Sequence, residues 1–151
     1  MSFTLDDKDR HILRELQENS QKNYRELSDE TGASLGTISN RIQKLTSNGV
    51  IKSWSIRVDP EKVGFDLTCL INIQIDVKYL DTVNEKLAEI EELVAVYNVT
   101  GEYDIVAIGR FLNRKHLDET IHEIINIPHV NRSATLVSLR TLKEDFRVHI
   151  P

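Results

Sequence analysis

One cysteine, three prolines and no long apolar run set the first bounds on this 151-residue chain. A lone Cys69 excludes an intramolecular disulfide and any cysteine-rich zinc site. Its apolar, strand-like surroundings predict a buried structural thiol. Nothing approaches the ~18 consecutive apolar residues of a membrane span. The opening MSFTLDDKDR is acidic and polar, unlike a secretory signal. A P-loop, a G-x-G-x-x-G loop and a nucleophile motif are all missing. The five histidines, His11, His116, His122, His129 and His149, form no trustworthy metal spacing and read as surface or interface residues. His116 and His122, six apart, fall on roughly opposite sides of a helix. Membrane, secreted and common enzyme classes recede, and a cytoplasmic protein is expected, with no metal and no cofactor.

Charge is also scarce where DNA would need it. The net charge is −5 at pH 7. Residues 1–58 hold nine Lys/Arg and eight Asp/Glu, whereas residues 59–151 hold ten and sixteen. Phosphate neutralisation supplies much of DNA affinity, so a near-neutral first part predicts weak binding by one copy. Linked copies would compensate through effective concentration.

What is present starts with residues 23–49, NYRELSDETGASLGTISNRIQKLTSNG, which read as two short helices joined by a tight turn. A helix over about 6–18 precedes them, with Ile12, Leu13 and Leu16 as its apolar stripe. Asp6, Asp7 and Asp9 sit in its first turn, where the helix dipole favours carboxylates. Asn23, with Glu26 three residues on, predicts a capping box for the second helix, which carries Leu27 inward and ends near Thr31-Gly32. Ser34 is an N-cap for the third, whose inner stripe is Leu35, Ile38, Ile42 and Leu45. Gly49 is placed as its left-handed C-cap.

From Val50 the period changes to two. Trp54, Ile56 and Val58 alternate with Ser53, Ser55 and Arg57, predicting a strand or small wing hairpin. Asp59-Pro60 and Gly64 are breaks, so residues 59–66 are expected to form a hinge. Beyond it the pattern reads βαββαβ. A strand alternates through Cys69, Ile71, Ile73, Ile75 and Val77. A helix follows on Leu80, Val83, Leu87 and Ile90, then strands over 93–99 and 103–112 around a turn at Thr100-Gly101-Glu102. Asn113 caps a helix through Leu117, Ile121, Ile124 and Ile125, and a last strand covers about 130–142. The expected fold is α+β. A winged-helix-like helix-turn-helix domain with its linking strand spans 1–58, and a ferredoxin-like βαββαβ domain spans 67–151. Leu70, Val94, Val106 and Ile108 lie opposite the helix-facing set and need a cover, most simply a second copy.

Seven pieces, in this order and spacing, resemble the Lrp/AsnC (feast/famine) regulators over nearly the whole chain. They are Leu5-Asp6-Asp7-Lys8-Asp9, Tyr24-Arg25-Glu26-Leu27-Ser28, Ser39-Asn40-Arg41-Ile42-Gln43-Lys44-Leu45, Asn48-Gly49-Val50-Ile51, Asp59-Pro60, Val99-Thr100-Gly101-Glu102-Tyr103-Asp104 and Ile127-Pro128-His129-Val130. The resemblance implies DNA binding by the first domain. It also implies dimerisation and small-molecule sensing, commonly of amino acids, by the second. Dimers assembling into tetramers or octamers, and a nucleoid-associated location, follow from the same likeness.

Two sites emerge. On the third helix Gly36, Thr37, Ser39, Asn40, Arg41, Gln43, Lys44 and Ser47 face outward, and these up to Lys44, with the N-cap Ser34, are the DNA-binding candidates. Arg grips guanine, Asn and Gln grip adenine, and Ser or Thr serve either base or phosphate. Thr37, Ser39 and Asn40 are the expected base readers, Arg41 a reader or phosphate clamp, and Lys44 a backbone contact. The bland reading is a solvated polar face. Trp54 could reach DNA from a wing, but a core or dimer aromatic is favoured. At Thr100–Asp104, Gly101 can expose backbone N–H groups to a carboxylate and Asp104 can accept an ammonium. The resemblance extends the effector site to Gly101, Tyr103, Asp104, Ser133 and Thr135, between dimers. The competing reading is a hairpin turn whose Asp104 caps backbone amides. Arg132 reads as an exposed strand charge. Rival functions are a sirohaem-decarboxylase-like enzyme of the same superfamily and an effector-binding protein without DNA activity.

Overall fold

A computed structural model describes residues 3–151. They form two compact units: the described residues up to Ile56 together with Glu144–Pro151, and Arg57–Lys143.

The first unit is built on three helices, α1 (Asp7–Glu18), α2 (Tyr24–Thr31) and α3 (Leu35–Ser47). Each begins on a side chain that satisfies the free backbone amides of its first turn. Asp6 accepts from the Asp9 N–H at 2.8 Å while Asp9 accepts from the Asp6 N–H at 3.1 Å. Asn23 and Glu26 form the same reciprocal box on α2. The Ser34 hydroxyl accepts from the Thr37 N–H. Both turns close on left-handed glycines, Gly32 at φ 66° and Gly49 at φ 70°. At the second, the Gly49 N–H donates to Thr46 and the Val50 N–H to Leu45, a Schellman motif that stops α3. The core is Ile12, Leu13, Leu16, Leu27, Ala33, Ile38, Ile42 and Leu45, with Leu5, Ile51 and Ile150 packed against it.

Three expectations change here. Leu35 leaves the inner stripe and is 52% exposed, because it occupies the first turn of α3, before the helix has reached its core-facing side. Residues 52–58 carry neither strand nor hairpin, and Trp54, Ile56 and Val58 are exposed. Alternation supplies a two-faced segment but not the neighbour a ladder requires. The last eight residues, placed by sequence with the second domain, pack with the first unit. The Gln17 side chain clasps Val148 through both its backbone N–H and C=O, each at 3.0 Å, and Ile150 enters the core.

In the second unit β1 (Leu67–Ile75), β2 (Leu93–Asn98), β3 (Ile105–Phe111) and β4 (Val130–Val137) form an antiparallel sheet in the order β2-β3-β1-β4. Helices α4 (Leu80–Ala88) and α5 (Arg114–Ile125) complete the expected βαββαβ pattern. Cys69, Ile71, Ile73 and Ile75 of β1 meet Ile105, Ala107 and Phe111 of β3 and Val83, Leu87 and Ile124 of the helices in one buried cluster. Cys69 is a free, fully buried thiol, and burial raises its pKa. The opposite sheet face carries Leu70, registered between Ile108 and Leu136, and Val106 beside Asn72. Leu70 and Leu136 are exposed. Val94 falls at a register shift between Leu93 and Ala95 and is exposed as well. Strand β4 stops at Val137, short of the expected 142. Beyond the Ser138 N–H bond to Thr68 the start of β1 offers no further partner.

Gly109 is required by packing rather than by backbone conformation. A Cβ there would lie 2.5 Å from Phe111 Cζ and 2.6 Å from Phe111 Cε2. Gly109→Ala is therefore expected to destabilise the protein by about 1–3 kcal/mol through overpacking. Chemical denaturation would show it as a lower midpoint at unchanged slope.

Candidate nucleic-acid interface and effector turn

Burial of Ile38, Ile42 and Leu45 fixes the rotation of α3 and leaves a polar surface outside. Thr37, Asn40, Arg41 and Lys44, spaced 3, 1 and 3, line one side of that surface. With Phe3, Asp6 and Asp9 they bound an open hollow of about 370 Å³. Gly36, Ser39 and Gln43 continue the surface beside them. The Ser34 and Thr37 hydroxyls bond each other at 2.9 Å, so both are already partly engaged. Asn40, Gln43 and Lys44 are exposed, and Ser39 is half-buried.

Arg41 differs from its neighbours. Its Nη1 donates to Asp6 Oδ2 and to Asp9 Oδ1, each at 2.7 Å. Asp9 is buried, with 6% exposure. Hydrogen bonds to Asp6 and then Asp9 raise the Arg41 pKa. The Asp9 backbone N–H, followed by the Arg41 guanidinium, holds the Asp6 carboxyl below the usual aspartate range. Sequence reading placed these aspartates at the helix dipole and missed this partner. A salt bridge spanning 35 residues leaves no local signature beyond the cap spacing itself.

At the other site Gly101 takes φ 129°, a conformation that side chains disfavour. The Val99 N–H donates to the Asp104 carbonyl at 2.9 Å, closing the β2–β3 connection. The Asp104 N–H donates to Ile73, and Asp104 Oδ2 accepts from the Ile75 N–H at 2.9 Å. That bond lies where the β1–β4 register shifts, between Gln74 and Ile75. Asp104 is thus a backbone cap. Ser133 pairs with Ile73 and Thr135 with Ile71, so both side chains share the helix-covered sheet face. Two strand spacings, about 10 Å, separate Ser133 from the end of the turn, and Thr135 lies two residues farther along. The Arg132 guanidinium stands 5.8 Å from the Tyr103 ring centroid and 3.7 Å from Glu102, drawing that charge to the turn. Arg132 remains an exposed strand charge, as its sequence position predicts.

Two histidines are more than surface residues. His116 Nδ1 accepts the Leu112 N–H at 3.2 Å, which leaves the proton on Nε2, 2.8 Å from Glu92. That hydrogen bond is the main cause of a lowered Glu92 pKa. His129, at φ 75°, stacks on Tyr79 with ring centroids 3.4 Å apart. Among the described residues no group of three or more His, Cys, Asp or Glu side chains could hold a metal ion.

Residues 5–52 match the model of a winged helix-turn-helix DNA-binding domain, and residues 68–148 match that of the Lrp/AsnC ligand-binding domain. The chain belongs to the Lrp/AsnC family. The likeness is end to end. An uncharacterised HTH-type transcriptional regulator of Pyrococcus horikoshii is 38% identical over 144 residues, covering 95% of this chain and 97% of that one. The solved structure of Escherichia coli AsnC superposes with a TM-score of 0.88 at 29% identity, covering 99% of this chain and 100% of its own. A feast or famine regulatory protein of Mycobacterium tuberculosis, solved in complex with L-methionine, gives 0.90 at 32%, covering 98% and 100%. The Lrp/AsnC family accounts for both halves: α1–α3 lie within the first match, and the second takes in the βαββαβ sheet from the second residue of β1 onward.

The lowered pKa of Asp6, with that of Glu92, fixes the sign of the acid response. The folded state binds these protons more weakly than the unfolded chain, so stability is complete above the ordinary carboxylate range. It is expected to fall as pH drops below about 4. Melting temperature against pH would record the loss, and Asp6→Asn should reduce it, leaving the part that Glu92 contributes.

Proposed function

We propose that this protein is a DNA-binding transcription regulator of the Lrp/AsnC type whose grip on DNA answers to a small effector. The carrying observation is α3: a helix buried on Ile38, Ile42 and Leu45 that presents Gly36, Thr37, Ser39, Asn40, Gln43 and Lys44 as one polar surface, within a matching winged helix-turn-helix domain. Thr37, Ser39 and Asn40 read base edges, Gln43 reads adenine, and Lys44 holds a phosphate. Ser34 caps the helix at the groove. A second copy covers the sheet face of Leu70 and Leu136, and two α3 helices meet half-sites about one helical turn apart. Tetramers or octamers follow from further pairing of dimers. A cytoplasmic, nucleoid-associated location follows from the DNA target. No described helix is long and apolar enough to cross a membrane.

The effector is an amino acid held near Gly101, Tyr103, Asp104, Ser133 and Thr135. Support comes from the open left-handed turn at Gly101, from the acceptor Asp104 keeps beyond its bond to Ile75, and from the L-methionine complex of the similar mycobacterial protein. A binding protein, not an enzyme, is the consistent reading. His116 is spent on Leu112 and Glu92, and His122 is an exposed partner of Asp118 on the other side of α5, so no histidine pair faces a tetrapyrrole. One observation favours a regulator that has lost DNA: Arg41 is paired with acid, leaving Lys44 as the other cation of α3.

Selection from a random duplex pool separates these readings. The protein should enrich one pseudo-palindrome and bind it with strong salt dependence; enrichment of nothing would remove the DNA reading. Thermal-shift screening of the twenty amino acids tests the effector. A true one should add about 2.7 kcal/mol of stability at a hundredfold excess over its Kd. Twenty flat titrations would contradict it.

A further inference from the structure

The α3 surface has one member that does not behave as a reader. Arg41 lies in the middle of the helix, yet its Nη1 bridges two carboxylates that belong to the start of α1. Those carboxylates are themselves immobilised. Asp6 and Asp9 hold each other's backbone N–H groups in the reciprocal box that starts α1. Asp9 is buried, and the Arg41 Nε is enclosed with no acceptor among the described residues. The stem of the side chain is therefore packed against protein rather than extended toward solvent.

Charge argues the same way. One guanidinium between two carboxylates leaves that cluster with a charge of −1, which Lys44 on the rim of the hollow only brings to neutral. A DNA phosphate brought to Arg41 would meet both aspartates at close range, where like charges repel. The apolar stripe sets the inward face of α3, and the bridge from Arg41 to Asp6 and Asp9 ties the same helix to the start of α1 by a second, directional contact. Base readout depends on hydrogen-bond geometry held to fractions of an ångström.

We infer that Arg41 is a positioning residue: it locks the recognition helix to the capped first turn of α1 through Asp6 and Asp9, and makes no DNA contact of its own. The inference rests on the reading of α3 as the DNA-reading helix. It assigns sequence selectivity to two acidic side chains that touch no base, and it makes the α1 cap part of the DNA-reading apparatus.

The test uses the full chain and a duplex enriched by the wild-type protein from a random pool, beside a scrambled duplex of the same length. Anisotropy titrations at several salt concentrations give Kd and the salt slope for wild type, Arg41→Ala, Asp9→Asn and the double variant. Both single variants should lower the melting temperature and reduce selectivity for the enriched duplex about tenfold, the scale of one mismatched base pair. The double variant should be little worse than Arg41→Ala, which already removes the bridges to both Asp6 and Asp9. The slope of log K against log salt should stay at the wild-type value. A slope smaller by about 0.9 in Arg41→Ala, the signature of one lost phosphate contact, would overturn the inference. So would unchanged selectivity for the enriched duplex in Asp9→Asn. If Arg41→Ala does not fold, Arg41→Gln and Asp6→Asn carry the same two arms. A wild type that enriches no sequence defeats the DNA reading itself, and this inference with it.

Discussion

Ile38, Ile42 and Leu45 press α3 onto α1 and α2, and the organisation of the first unit depends on that burial. Each apolar side chain removed from water contributes about 1.5–3 kcal/mol, far more than any exposed polar contact. The stripe therefore decides which residues can face outward. Every other feature of the unit serves it. Three side-chain caps begin the helices where the stripe needs them, Gly32 and Gly49 end them, and the clasp of Gln17 on Val148 brings Ile150 into the same core. Polar groups that could meet DNA are what remains once the apolar side is satisfied. Arg41 adds lateral restraint to a helix that hydrophobic burial holds only from below.

The second unit obeys a similar division of labour. One face of its sheet is buried beneath α4 and α5, while Leu70 and Leu136 keep the other apolar. At one end Asp104 pins the irregular start of the β1–β4 ladder. Its two proposed roles are compatible. One oxygen holds the Ile75 N–H, and a carboxylate has further acceptor capacity for an ammonium. A cap that doubles as a ligand group would couple occupancy to the stability of the turn. A small molecule acts on a DNA grip only if it binds two conformations unequally.

Local signals were readable in the residue order and distant ones were not. The three helices, the Asn23/Glu26 capping box, the left-handed Gly49 and the βαββαβ order rest on spacings of two to four residues, and the chain shows them. Asp104 as a backbone cap was also foreseeable, since turn aspartates accept nearby N–H groups. Leu35 was misplaced because periodicity extends a stripe past the point where the helix meets its core. The 52–58 segment was misread because alternation describes a strand's faces and not its neighbour. The return of residues 144–151 to α1, the hold of Asp6 and Asp9 on Arg41, and the stacking of Arg132 on Tyr103 all join residues far apart in sequence. For the candidate sites, residue types were visible while their existing engagements were not.

The central claim is that the outer face of α3 reads bases. Repeating duplex selection with Asn40→Ala tests it most directly. The account predicts that the enriched sequence loses its preference at one position in each half-site, keeps the others, and retains the wild-type salt slope. An unchanged motif at every position would contradict it.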